Sequence, residues 1–283
     1  MHDLFVRPFE HAYMQRALLE VVLLGVLGGV VGVHVLLRKL AFVTEVVQHT
    51  VFPGIAIAFV VGQSLLVGAL VAGALSMVLL TLGSRRTRVA PDALMALLIS
   101  TFFAAGVIIV SRQRTYQSDL TALLFGRILT VDRNEIVDTA IIAAIAGLVL
   151  VALHKELVMR AFDVEQTRAL GYRVDVIDLV LNLIVMLVVV AAVRAVGTVL
   201  VVAFIVTPAA AARLLLRRIG PMMIAAAVGA AVCGWLGLIV SFHGSVDHGW
   251  RIASGATIVL VFTAAFAVAW VISLIRQRRV ATR

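Results

Sequence analysis

Lysine is almost missing from this chain: of 24 basic residues only Lys39 and Lys155 are lysines, in LRKLA and LHKEL. A phosphate-binding loop of the form Gly-x4-Gly-Lys-Ser/Thr is therefore excluded, and with it ATP hydrolysis by that route. Cysteine occurs once, as Cys233 in an apolar run, so no intrachain disulfide can form and nothing follows about the redox compartment. The His-Glu-x-x-His pattern of zinc hydrolases is absent. Ser76, Ser100 and Ser111 lack a matched base, which leaves a serine hydrolase without apparatus. The first residues, MHDLFVRPFEHAYMQRALLE, have no basic n-region and no small-residue cleavage site, so no cleaved signal peptide is expected.

Apolar side chain is what the chain has in excess. At 63% hydrophobic and 14% charged residues, with a mean hydropathy of +1.12, it carries more than a soluble core of this length could hide. It reads as an all-α polytopic membrane protein, because the apolar runs continue for about 20 residues rather than alternating in short segments as barrel strands do. The runs fall near 17–37, 41–62, 65–82, 93–111, 136–154, 176–196, 198–215, 222–241 and 252–275, which gives about nine spans in one transmembrane domain covering 1–283. A re-entrant or interfacial connector over QSDLTALLFGRILTVDRN would change that count by one, to eight.

The net charge of +9 does not point to nucleic acid, since the basic residues lie in short clusters between apolar runs. Orientation in lipid accounts for them better. With a cytoplasmic C-terminus, 16 of the 24 Lys and Arg fall on the inner side, among them Arg38, Lys39, Arg160 and Arg168. The other 8, including Arg133, Arg194 and the Arg112–Arg114 cluster, fall outside. This bias predicts an N-terminus outside and a C-terminus inside a bacterial cell membrane.

Glu45 and His49 lie four residues apart in the second run, one turn before Pro53-Gly54. That spacing puts both on one helical face, and an ionisable group at membrane depth costs roughly 3 kcal/mol unless it has a partner, an ion or a water-lined path. A carboxylate oxygen with an imidazole nitrogen suits Mn, Fe(II) or Zn better than Ca or Mg. Two ligands are too few for a closed site, whereas two copies of the chain would supply four. The competing reading is that Glu45 snorkels to water and His49 merely bonds a neighbouring carbonyl. His34, before the Arg38-Lys39 turn, could come near Glu45 or simply pack. His243, Asp247 and His248 in FHGSVDHGW could catch a metal at the outer mouth, or form an ordinary solvated turn.

Residues 155–179, KELVMRAFDVEQTRALGYRVDVIDL, form the longest segment of mixed charge, with Leu157, Phe162, Val164, Leu170 and Val174 as a hydrophobic edge and Gly171 placed as a helix C-cap. A short amphipathic helix docked on a cytoplasmic partner has this pattern, and so has a solvated loop. Proline-interrupted spans near Gln48-His49 and Thr207-Pro208 add a weak transporter signal.

The run LLRKLAFVTEVVQHTVFPGIAIAF resembles the second-span signature of the zinc and manganese ABC importer permeases. The likeness continues through TALLFGRIL, AFDVEQTRALG, AVGTVLVVAFIVTPAAAARLL and SGATIVLVF, nearly the whole chain in the family's order. The resemblance implies the membrane subunit of a binding-protein-dependent importer, not an enzyme. Two permease copies would enclose the pore, with a cytoplasmic ABC ATPase dimer, an extracytoplasmic metal-binding lipoprotein and surrounding membrane lipid as partners. It implies no permanently bound cofactor, only a transported divalent metal (Mn, Zn or Fe). Glu45 and His49 match the family's carboxylate and His on the path. Residues 162–171, with Phe162, Asp163, Glu165, Ala169, Leu170 and Gly171, match its coupling helix within the loop 155–178. Two departures stand out: Glu45 where the family usually has Asp, and His34 where it usually has an aromatic or aliphatic residue. A secondary antiporter using Glu45 and His49 as a proton relay, and a membrane scaffold that only recruits an ATPase, are the alternatives from other classes.

Overall fold

Inside lipid every backbone N–H and C=O must be satisfied within the chain, which leaves helices as the solution for continuous apolar runs. The computed structural model describes residues 7–86, 89–111, 128–246 and 253–281, and among these there is helix and no strand. In chain order the helices are α1 (Ala12–Leu37), α2 (Ala41–Thr50), α3 (Phe52–Val61), α4 (Leu65–Arg86), α5 (Pro91–Ser111) and α6 (Arg133–Ala152). There follow α7 (His154–Phe162), α8 (Val164–Ala169), α9 (Val174–Val196), α10 (Thr198–Leu215), α11 (Ile219–Val246) and α12 (Ser254–Ala281).

Eight stretches among the described residues are long and apolar enough to cross a membrane, with α2 and α3 together making one, Ala41–Val61. The run expected over 198–215 is α10 itself, Thr198–Leu215, 18 residues or about 27 Å of helix, with Pro208 inside it. Most of the connector suspected of being re-entrant, residues 112–127, lies outside the described residues; its end is a 3-10 turn, Ile128–Thr130, before Asp132 and Glu135 cap α6 reciprocally.

α9 runs through the middle, buried along most of its length. It is flanked by α1, α2, α4, α6 and α10. α1 is the other inner helix, and it meets its neighbours at unusually short range because glycine recurs on one face. A Cβ built on Gly29 would lie 2.7 Å from the Ala226 backbone in α11, and one on Gly32 would collide with the Ile205 carbonyl of α10. Small residues of this kind let backbones approach where lipid offers no hydrophobic drive for helix association. On the far side of α10, Phe204 and Phe262 of α12 meet edge to face at 4.9 Å.

Ion pairs hold both ends of α9. Near its start Asp178 receives Arg38 from the α1–α2 turn and, at 2.9 Å, Arg160 from α7. Near its end Arg194 reaches Asp138 at 3.0 Å and Glu135 at 3.5 Å, both on α6. Sixteen residues separate the two clusters along one helix, about 24 Å of rise.

Overpacking at the α1 face is expected to be costly. Gly32→Val should lower the stability of the purified protein by about 1–3 kcal/mol, read as a fall in Tm. Gly147→Ala on α6, where a Cβ meets nothing within 4 Å, should leave Tm unchanged or slightly higher.

Candidate cation site

α2 has two faces. Val43, Val46, Val47 and Thr50 point inward and are buried. The Thr50 hydroxyl donates to Ser76 of α4 at 2.8 Å, and Ser76 donates to the Gly73 carbonyl at 2.8 Å, so this face is pinned to α4. Phe42, Glu45 and His49, spaced i, i+3, i+7, make the opposite stripe. Phe42 is 71% exposed in the single chain, and the Glu45 and His49 side chains are 42% and 36% exposed.

The sequence pair is a contact: His49 Nε2 stands 3.2 Å from Glu45 Oε1. The His49 ring meets Phe103 of α5 edge-on at 5.7 Å, and Phe103 in turn packs on Phe52 at 5.6 Å. Pro53 has no N–H to give the His49 carbonyl, so the α2–α3 joint leaves that oxygen without its usual helical donor. At the preceding residue, turned toward the interior, the buried Gln48 amide nitrogen has no hydrogen-bond partner among the described residues. The outcome is an acid and an imidazole along one side of a helix joint, with an aromatic wall and an open front. Such a set offers oxygen and nitrogen donors to a dication without enclosing it.

His34 does not join this set. It is fully buried on α1 with its ring 6.1 Å from that of His154 in α7, and neither ring nitrogen has a partner. No cluster of three or more His, Cys, Asp or Glu suited to a metal occurs among the described residues. His243 is in the last turn of α11, beside Phe242, and not in a loop. The reason is length: 28 residues make about 42 Å of helix, so the end of α11 overshoots an apolar core of about 30 Å while remaining helical. Asp247 and His248 lie outside the described residues.

The 155–178 segment is two helices, α7 and α8, joined at Asp163. The Asp163 carboxylate caps α8 by accepting from the Gln166 N–H at 2.9 Å. α8 ends in a Schellman turn: Gly171 is left-handed at φ +84, its N–H bonds the Arg168 carbonyl, and the Tyr172 N–H bonds that of Thr167. Phe162 and Leu170 stand 71% and 60% exposed at the two ends of this element, with Asp163, Glu165, Ala169 and Gly171 also at the surface. Thr167 is the buried anchor.

A model of the ABC 3 transport family matches residues 10–273. The chain belongs to this family of transporter permeases. It is 34% identical over 269 residues to the manganese transport system membrane protein MntC of Halalkalibacterium halodurans, spanning 95% of this chain and 90% of that protein. The chelated iron transport system membrane protein YfeD of Yersinia pestis is 30% identical, with 99% of this chain and 93% of that one covered. Among solved structures, PsaBC from Streptococcus pneumoniae in complex with Fab superposes with a TM-score of 0.83 at 28% identity over 95% of each chain. As in the family generally, this chain is a transport permease subunit and not an enzyme.

Four polar contacts escaped the sequence reading. Arg38, Arg160 and Arg194 served there only as orientation markers, yet each has a carboxylate partner, and Asp178 and Asp138 were not singled out at all. Glu20, buried inside α1, accepts from the Thr139 hydroxyl of α6 at 2.7 Å. Its signal was available: it is a carboxylate within the first apolar run, open to the same argument that singled out Glu45.

Burial pulls the Arg38 guanidinium below its ordinary value, while the Asp178 charge opposes that and Arg160 adds to it. Removing the counter-ion should therefore be severe. Asp178→Ala is expected to destabilise by about 3–5 kcal/mol, seen as a lost or broadened unfolding transition, because it strands a buried charge. The double variant Asp178→Leu with Arg38→Met should recover much of that loss.

Proposed function

We propose that this permease is the membrane-spanning half of an ATP-driven importer of a divalent transition metal, and that it works as a homodimer. The observation that carries the reading is the Glu45–His49 pair on the open stripe of α2. A second copy laid against α2 and α5 would bring two carboxylates and two imidazoles to one passage, four ligands of the type that manganese, iron and zinc accept. Two ligands from each chain, on an open face, keep binding weak enough for release. The named relatives, one described for manganese and one for chelated iron, support a transition-metal cargo.

ATP hydrolysis belongs to a cytoplasmic ABC ATPase dimer, since the chain has no loop to hold a nucleotide. Its dock is α7–α8, where Phe162 and Leu170 present apolar surface on a capped, rigid element. An extracytoplasmic metal-binding lipoprotein delivers the ion to the opposite face, with the N-terminus outside and the C-terminus inside. Transport follows by alternating access: movement of α7–α8 shifts α9, and the two copies expose Glu45 and His49 to one side at a time.

Uptake of radiolabelled manganese, zinc and iron by the reconstituted complex tests the site. His49→Ala and Glu45→Gln should each cut uptake at limiting metal by tenfold or more while assembly with the ATPase is unchanged. Normal uptake by His49→Ala would remove the pair from the path. The permease alone, given a pH gradient and no ATPase, should move no metal; movement would favour the antiporter. At the dock, Phe162→Glu or Leu170→Glu should abolish permease-stimulated ATPase activity, measured as phosphate release, and leave metal binding intact.

A further inference from the structure

A second polar cavity lies away from the Glu45–His49 stripe, where the ends of α1 and α4 meet the starts of α2 and α5. It has a volume of about 360 Å³, and Arg38, Lys39, Arg160 and Asp178 line it together with Thr81 and Ser84. Three cations face one carboxylate. Asp178 takes one nitrogen from each arginine and leaves Arg38 Nη1 and Arg160 Nε without partners although both are buried. The Arg38 side chain is only 6% exposed, so these donors are held out of water with nothing to bond. The hydroxyls do not serve them: Thr81 donates to the Met77 carbonyl at 2.8 Å, and Ser84 donates to the Thr81 carbonyl at 3.1 Å. An unmet buried donor of this kind is costly unless a ligand supplies the acceptor.

Two further features converge on the same place. Lys39 is the one non-glycine residue with a positive φ among those described, at +56. It occupies the left-handed position of a Schellman turn, its N–H on the Leu36 carbonyl and that of Leu40 on Val35, where glycine is the unstrained choice. A strained backbone at a lysine beside a cavity is a reason to look for what the side chain does there. In addition, α2 starts at this cavity with no side chain capping its first amides, so its positive end adds to the field. Asp92 of α5 is exposed and is not among the lining residues.

We propose that this cavity is a phosphate-group site, filled from the bilayer by the headgroup of an anionic phospholipid. Arg38 and Arg160 would hold the phosphate oxygens by charge-assisted hydrogen bonds, and Lys39 would close over them from the turn. The placement favours a lipid over a soluble phosphate. Four membrane-helix ends surround the site at headgroup level, and Leu37, Leu40 and Met95 give it an apolar flank for the glycerol and first acyl carbons. The bound headgroup would tie the α1–α2 turn to α7. The inference does not depend on which ion is carried, nor on the role given to Glu45 and His49.

The test uses the full-length chain with its partner subunits in nanodiscs of phosphatidylcholine, with or without phosphatidylglycerol of the same acyl chains, read by native mass spectrometry of bound lipid and by Tm. A third arm adds inorganic phosphate to the phosphatidylcholine discs. Retention of phosphatidylglycerol and a raised Tm are expected for the wild type. Lys39→Glu should weaken retention by roughly tenfold, with Arg160→Gln also lowering it, whereas Arg217→Glu, an exposed basic residue outside the cavity, should not. A rise in Tm with inorganic phosphate alone, lost in Lys39→Glu, would keep the phosphate site and overturn the lipid as its source. No response to either, or equal retention by Lys39→Glu and wild type, would overturn the site itself. Lys39 is at the surface, so its substitution reports on binding without risk to the fold.

Discussion

The cost of holding charge out of water organises this permease. The ion pairs that fix α9 bring opposite charges together from distant parts of the chain, as Asp178 has Arg38 from 140 residues away. Neither partner is tolerable alone at that depth, so the turn after α1, the end of α7 and the start of α9 must arrive together. Arg194 with Asp138 and Glu135 does the same at the other end of α9. The central helix is thereby fixed at both ends, and the remaining packing is arranged around it.

The Glu45–His49 pair is the exception. It is only partly buried in the single chain, the two groups bond each other, and Phe103 of α5 walls one side of them while the other side stays open. The other face is locked through Thr50 and Ser76. A rigid back and an open polar front suit the transit site proposed for this pair, since donors there must keep their positions while ions arrive and leave. α8 is closed at both ends, capped by Asp163 and ended by the left-handed Gly171 turn.

Much of the fold was legible because it depends on local pattern. Runs of about 20 apolar residues produced the spans, and the i, i+4 spacing of Glu45 and His49 was enough to place them in contact. Gly171 could be assigned to a helix end from its neighbours alone. Other features were hidden for definite physical reasons. His34 looked close to Glu45 because both flank one turn, but α1 presents it to α7 instead. His243 was read with Asp247 and His248 as part of one outer turn, while α11 carries on to Val246. Asp178 was invisible as a shared counter-ion, since its partners are 140 and 18 residues away and nothing in their local sequence announces the meeting. Lys39 in a left-handed conformation could not be foreseen, because the sequence puts a lysine where the turn asks for glycine.

The amino-acid sequence by itself determined that this protein lives in a membrane, that it is helical, that it cannot hydrolyse ATP through a phosphate-binding loop, and that one acid and one imidazole share a helix face. These follow from hydropathy, periodicity and the absence of a motif, all of which are properties of neighbours along the chain. Only the tertiary structure decided which charges pair, which face of α2 stays open, and that two arginines, a lysine and an uncapped helix start converge on one cavity. Those outcomes depend on contacts between residues far apart in sequence, where the strength of an interaction is set by burial and distance that no local pattern encodes.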